Sequence, residues 1–400
     1  MIYNKNIDYW FTIEPYVYAC RNKNVLLLFN TLDGSMIEAN DEEVIELVES
    51  TLSEKNLSVL YFPGKRLEKK NLVDFINRLR KNFMGDIIDI QYSNHKPIQF
   101  ITQANLLDYK IEKQKTFFFN NTSQIDLKSY LDEVTIVING NFTDSEFTKQ
   151  TWLCNKAHKN TDRHMPIELI KKIGESLKNT NVTTVNIIGT DITAHPDINS
   201  IISFFKTLPL KVEYIQNSYG CKCEYITSII LDVKSLNNSD NIFTEEQTYL
   251  FIVETDKDLI FLDTFIEKNQ IKHYKIIPYF IGDNLDFFRK NVYVDKSDLE
   301  YEPQKMNDIY AKKFINLNSF GRLFITATGE VYSCLYEKPT SIFKGTFKDI
   351  IMQELCSDDS PWRNIRHEEP CCNCIYQWLC PSPSSYEKAI GKPNLCHIKP

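Results

Sequence analysis

Glycine is scarce, with twelve residues in 400. A loop that cradles phosphate needs glycines close together, and no such run occurs, so a nucleotide-binding loop is not expected. Long apolar runs are also missing; none reaches the about 18 residues of a membrane span. The start, MIYNKNIDYWF, lacks the basic stretch and apolar run of a secretory signal. Positive charge is not in excess. The net charge is −7, which argues against a nucleic-acid partner, because phosphates call for a basic surface. The basic stretch at 66–81, RLEKKNLVDFINRLRK, is interrupted by acids and reads as the solvated face of an amphipathic helix. No low-complexity linker or internal repeat stands out. These absences leave a cytoplasmic chain with neither membrane nor nucleic acid as partner.

What is present is a folded-protein composition, 42% hydrophobic and 25% charged. The length calls for two or three domains. Residues 1–90 begin with NVLLLFNT, a buried strand, and LDGSMIEA, which turns at Asp33-Gly34 into a second strand. NDEEVIELVESTL follows as a helix, with Asn40 as its cap, Glu43 at the capping-box position and Val44, Leu47, Val48 and Leu52 on one face. A hairpin followed by helices gives a winged-helix-like module. Residues 91–130 read as a connector. From 131 to 317 strands and helices alternate: EVTIVIN, MPIELIKKIGESLKN, VTTVNIIG, HPDINSIISFFKTL, KVEYIQN and onward. That alternation implies a parallel sheet covered by helices, as in a partial barrel. Residues 318–400 open with a hairpin, GRLFITATGEVYSC, and end rich in cysteine.

Seven of the eleven cysteines lie from Cys334 to Cys396. Reduced thiols clustered in a cytoplasmic chain point to metal rather than to disulfides. Cys371 and Cys374 are separated by two residues, a spacing that turns both sulfurs toward one ion from a tight loop. Cys380 and Cys396 complete a set of four. Four thiolates suit tetrahedral zinc or a cubane iron–sulfur cluster, and spacing does not choose between them. Cys372 is a substitute ligand or a buried neighbour. Cys221 and Cys223, in CKCEY, read as strand-core residues.

GRLFITATGEVYSC, Gly345, CCNCIYQWLCPSPSSYE and NLC together resemble a SPASM domain, the auxiliary-cluster module of radical S-adenosylmethionine peptide maturases. The resemblance implies seven cysteine positions and two clusters. Cys334, Cys371, Cys374, Cys380 and Cys396 match the first, third, fourth, fifth and seventh, whereas Ile350 and Ser384 stand at the second and sixth. By the family's ligand assignment one centre remains, held by Cys371, Cys374, Cys380 and Cys396, with Cys334 left outside it.

The same family requires C-x3-C-x2-C after its first barrel strand. After EVTIVIN this chain has only Cys154, with His158 and Thr161 at the next two positions. The family's Gly-Gly-Glu-Pro strand end is here Gly189, Thr190, Asp191 and Ile192. Cys154, Gly189 and Asp191 are thus degenerate remnants, and His158 and His164 read as surface histidines. S-adenosylmethionine is not expected as a cofactor. The chain resembles the pseudo-radical-SAM proteins of ribosomal peptide maturation, including a Bacteroidales-type group. Its N-terminal stretch YWFTIEPYVYACRNKNVLLLFNTLDG resembles a PqqD-like element that takes a leader peptide as an added strand. Tyr16, Tyr18 and Phe29 would line that groove or fill the core.

The resemblance implies an α/β chain: a winged-helix-like module, a partial (β/α) barrel and a cysteine-rich SPASM-like tail. It implies an accessory protein with no catalytic residue, one [4Fe-4S] cluster or a zinc in its place, and a precursor leader or an active radical SAM maturase as partner. Two other readings stand beside it. One is an active maturase with atypical ligation through Cys154, His158 and one distant thiol. The other is a zinc-stapled binding protein unrelated to peptide modification.

Overall fold

A computed structural model describes residues 3–93, 95–98, 116–117, 120–121, 126–140, 163–178, 180–189, 191–217, 223–238, 243–334 and 338–398. The apolar runs of the first segment form short antiparallel strands. These are β1 (Tyr9–Ile13), β2 (Val17–Asn22), β3 (Val25–Asn30) and β4 (Met36–Ala39). Helix α1 (Glu42–Leu52), β5 (Val59–Phe62), α2 (Lys70–Lys81) and β6 (Gly85–Asp89) complete the segment. Two three-stranded sheets result, ordered β5-β1-β6 and β2-β3-β4. The hairpin expected near 24–39 is β3 paired with β4. Four strands precede the first helix, however, and β5 and β6 return to flank β1. Phe11, Ile13 and Phe62 pack against Val44, Ile45, Val48, Leu72, Ile76 and Leu79 of the two helices. The helix cap is Asp41, not Asn40. Its carboxylate accepts from the amides of Glu43 and Val44, both at 3.1 Å, and this replaces the expected Glu43 capping box.

Most of the central strands are largely buried, which suits a parallel sheet covered by helices, and the edge strand Tyr274–Pro278 is exposed. These strands are β7 (Glu133–Asn139), β8 (Thr184–Gly189), β9 (Lys211–Asn217), β10 (Ser228–Asp232), β11 (Thr248–Val253) and β12 (Tyr274–Pro278). Each pairs in parallel with its sequence neighbour. Helices α3 (Ile167–Leu177), α4 (Ile198–Phe205) and α5 (Asp256–Asn269) lie between strands in the chain. Val134, Ile136 and Ile138 of β7 share the main core with Ile170, Ile173 and Leu177 of α3 and with Ile201 and Phe205 of α4. The opposite face of the later strands carries Ile230, Ile252 and Tyr279 as a separate cluster. Helix α5 starts at a full capping box, Thr255 with Asp258.

Two short helices follow, α6 (Leu285–Asn291) and α7 (Met306–Ala311). The tail then adds β13 (Arg322–Ile325), β14 (Glu330–Tyr332), β15 (Ser341–Ile342), α8 (Lys348–Cys356) and α9 (Ser385–Ile390). Strand β13 pairs in parallel with β7, Arg322 opposite Glu133 through Ile325 opposite Ile136. One nine-stranded sheet therefore crosses the division expected at 317/318, in the order β12-β11-β10-β9-β8-β7-β13-β14-β15. Trp362, fully buried in the main core, donates its indole N–H to the carbonyl of Arg322 at 3.1 Å and anchors the tail to that strand. Among the described residues no helix is long and apolar enough to cross a membrane.

Candidate metal centre

The cysteine-rich end is a string of tight turns. The amide of Cys374 donates to the carbonyl of Cys371 at 3.0 Å, and that of Cys380 to the carbonyl of Tyr376 at 3.0 Å. Cys396 arrives from farther along the chain. A short parallel bridge clamps it beside Val294, whose amide donates to Leu395 and whose carbonyl accepts from His397, both at 3.0 Å. Cys371, Cys374, Cys380 and Cys396 thereby line one cavity of about 20 Å³, with Arg366 on its wall. None of the described cysteines is in a disulfide.

Burial pushes the Cys380 thiol up to about 12, with Arg366 opposing and the other three sulfurs adding to the rise. Burial likewise raises Cys371, again against Arg366, and raises Cys374 against a hydrogen bond from the Tyr376 backbone. The surroundings thus keep these sulfurs protonated until a cation replaces the protons. Two cations reach the cluster. The Arg366 guanidinium lies 4.0 Å from the Cys371 sulfur, and its other nitrogens bond the Pro381 carbonyl and, at 2.8 Å, Glu387. Lys312 donates to Gln304 at 2.8 Å and to the Leu379 carbonyl at 3.1 Å; burial pulls its pKa down to about 8, and Cys380 resists that fall.

The donor set fits a soft metal: four sulfurs and no competing carboxylate on the cavity wall. Among the described residues no three or more Cys, His, Asp or Glu side chains stand close enough together, as placed, to hold a metal ion. The four thiols share a cavity wall rather than a finished tetrahedron, in keeping with a site that metal and local folding complete together.

The remaining predicted positions divide cleanly. Cys372 is exposed and does not line the cavity. Cys334 lines a different cavity of about 330 Å³ together with Ser384. Ser384 is the N-cap of α9, in a capping box with Glu387. Ile350 is buried in the main core.

At the carboxyl ends of the parallel strands the polar groups bind one another. One oxygen of Asp191 accepts from the Thr193 amide at 2.9 Å, the Thr193 hydroxyl at 2.6 Å and the Gln216 amide group at 3.1 Å. The Asn139 side chain bonds the Asp191 carbonyl, and Gln216 accepts from the Ile192 amide at 3.1 Å. Gly189 is required there, since a Cβ would stand 2.0 Å from Asn139 Oδ1. His195 is buried; its Nδ1 accepts from the Asp197 amide at 3.1 Å and its Nε2 donates to the Met165 carbonyl at 3.0 Å. Burial lowers its pKa, and the His164 ring, 5.1 Å away, adds to that fall. Cys154, His158 and Cys221 lie outside the described residues.

Tyr18 and Phe29 do not line a groove. Both are buried in a cluster with Leu299, Ile309, Tyr376 and Leu379, because the tail covers that face of the hairpin sheet. Tyr16 packs beside the N-terminal core and donates its hydroxyl to the Phe83 carbonyl. Elsewhere on this module a half-buried Trp10 stands between exposed Tyr61 and Ile88. Trp10, Tyr61 and Ile88 stand side by side across β5-β1-β6, with Trp10 and Tyr61 edge to face at 6.0 Å. Their period-two placement was available in the sequence, but not which face would stay open. Arg366 and Lys312 carried no spacing signal.

No protein family and no curated protein matches the chain. Among solved structures, Streptococcus suis SuiB bound to precursor peptide SuiA is similar at 12% identity, over 97% of this chain and 99% of that one, with a TM-score of 0.46. Streptococcus suis SuiB bound to S-adenosylmethionine is similar at 11% identity over 97% and 99%, with a TM-score of 0.40. BtrN in complex with AdoMet and 2-DOIA is similar at 11% identity over 57% of this chain and 83% of that one, with a TM-score of 0.27.

Proposed function

We propose that this chain is an accessory pseudo-radical-SAM protein of ribosomal peptide maturation that carries one four-cysteine metal centre. The observation that carries the reading is the gathering of Cys371, Cys374, Cys380 and Cys396 on one cavity, while Ile350 sits in the core and Ser384 caps a helix. These four would hold a [4Fe-4S] cluster, whose chemistry when bound is one-electron transfer. A single zinc held by the same four sulfurs as a structural staple is the second reading, since four thiolates suit either group. In either case the chain's own part is to bury the four sulfurs and to bring two cations beside them.

The Asp191 carboxylate, already bonded to Thr193 and Gln216, supports an accessory rather than a radical-generating role. A precursor leader or a partner maturase would dock on the N-terminal module. The Trp10–Tyr61–Ile88 stripe and the adjoining edges of β5 and β6 supply an apolar anchor with a strand-pairing edge. The test is reduction of the anaerobic protein with S-adenosylmethionine. No 5'-deoxyadenosine is expected; its formation overturns the accessory reading. Retention of a short precursor peptide by the wild-type chain, and its loss in W10A/Y61A, tests the docking surface.

A further inference from the structure

We propose that Arg366 is a positioning residue of the four-thiolate centre: a buried guanidinium, braced by Glu387, that supplies the fixed positive charge against which the sulfurs gather. The inference rests on the four-thiolate reading above and assigns that site its charge partner.

Four thiolates around a divalent ion leave two negative charges, and so does an oxidised cubane. Uncompensated, such charge is costly in an interior that excludes water. Arg366 is built to meet it. Its side chain is 9% exposed and that of Glu387 8%. The planar fork reaches three places at once: the Pro381 carbonyl, one Glu387 oxygen at 2.8 Å and the Cys371 sulfur at 4.0 Å. Its backbone carbonyl accepts from Gln377, on the turn between Cys374 and Cys380. Glu387 is itself fixed. Its second oxygen accepts from the Ser384 amide at 2.8 Å and from the Ser384 hydroxyl. A line of contacts thus runs from Ser384 through Glu387 and Arg366 to Cys371. Lys312, a single compact charge, is spent on Gln304 and the carbonyl of Leu379, next to Cys380 in the chain. A lysine in place of Arg366 would keep a charge but could not span carbonyl, carboxylate and sulfur together.

A plain buried ion pair is the competing explanation, and it makes a different prediction. If the pair only holds the fold, removing either partner disturbs metal binding equally. If Arg366 serves the sulfurs, removing its charge weakens metal more than neutralising Glu387 does, because the side-chain amide oxygen left by E387Q can still accept from the guanidinium and only the bond to the Ser384 amide is given up.

The experiment uses the full chain isolated anaerobically with its own iron or zinc. Metal release is titrated with an iron or zinc chelator for wild type, R366Q, R366K and E387Q, with circular dichroism melts as the fold control. R366Q is expected to release metal at roughly tenfold lower chelator, as for other second-layer metal partners. R366K should fall between R366Q and wild type, and E387Q between R366K and wild type. A folded R366Q that retains metal like wild type overturns the proposal, as does equal weakening by R366Q and E387Q. Should R366Q fail to fold, E387Q retaining metal better than R366K supports the proposal, and the reverse order overturns it. A wild-type chain without iron or zinc removes the four-thiolate reading and this proposal with it; a loaded wild type with an unaffected R366Q removes this proposal alone.

Discussion

In the tail, four thiols face a common cavity, and burial with two cations is what surrounds them. At the carboxyl ends of β7, β8 and β9, Asn139, Asp191 and Gln216 turn to one another. Both regions bury polar groups, yet they solve the problem differently. A polar group buried with a protein partner is satisfied in place and stiffens the fold. A set of buried thiols has weak hydrogen-bonding capacity, and under the proposed reading a metal ion is the partner that matches it. The difference separates a site arranged for a guest from one closed on itself.

The comparison breaks first at the cysteines. Replacing any of Cys371, Cys374, Cys380 or Cys396 by serine should abolish metal retention and unfold the tail, since a structural metal contributes on the order of 10 kcal/mol to its local fold. C334S should leave metal content unchanged, because Cys334 lines the other cavity. Metal analysis and thermal melts of the purified variants read both. The closed site answers in stability instead. Gly189→Ala places a methyl 2.0 Å from Asn139 Oδ1 and should cost about 3 kcal/mol with metal content intact, measured by denaturant unfolding. Asp191→Ala should cost about 1–2 kcal/mol by leaving Thr193 and Gln216 short of an acceptor. If it instead lowers metal content, the two regions are not separate.

The smallest effect concerns pH. The folded pKa of His195 lies below its unfolded value, so the folded chain binds fewer protons there. Its contribution is full above the unfolded pKa of about 6.5 and is lost as pH falls below it toward the folded value. Melts at about pH 7 and about pH 5 should show wild type losing more stability than H195Q across that window. Equal losses would mean that the ring is not held neutral.

Much of the parallel sheet was readable in the sequence, since EVTIVIN, VTTVNIIG and KVEYIQN alternate with helical stretches at the spacing of a parallel sheet covered by helices. The same holds for the α3 stripe of Ile170, Ile173 and Leu177. Partner choice over long distance was not readable. Nothing in GRLFITATGEVYSC states that β13 pairs with β7, a strand far earlier in the chain, so the tail was expected as a separate unit. Tyr18 and Phe29 failed as groove residues for the same reason: a strand face is open or covered according to what lands on it, and here the tail lands on it. The four thiols were legible because their spacing is local for three of them. Arg366 was not, because an arginine shortly before Cys371 becomes a site residue only through its bonds to Glu387 and Pro381.

The most direct measurement is iron, acid-labile sulfide and zinc per chain on protein purified without oxygen. One four-thiolate centre predicts about four irons with matching sulfide, or about one zinc. About eight irons, or no metal at all, contradicts it.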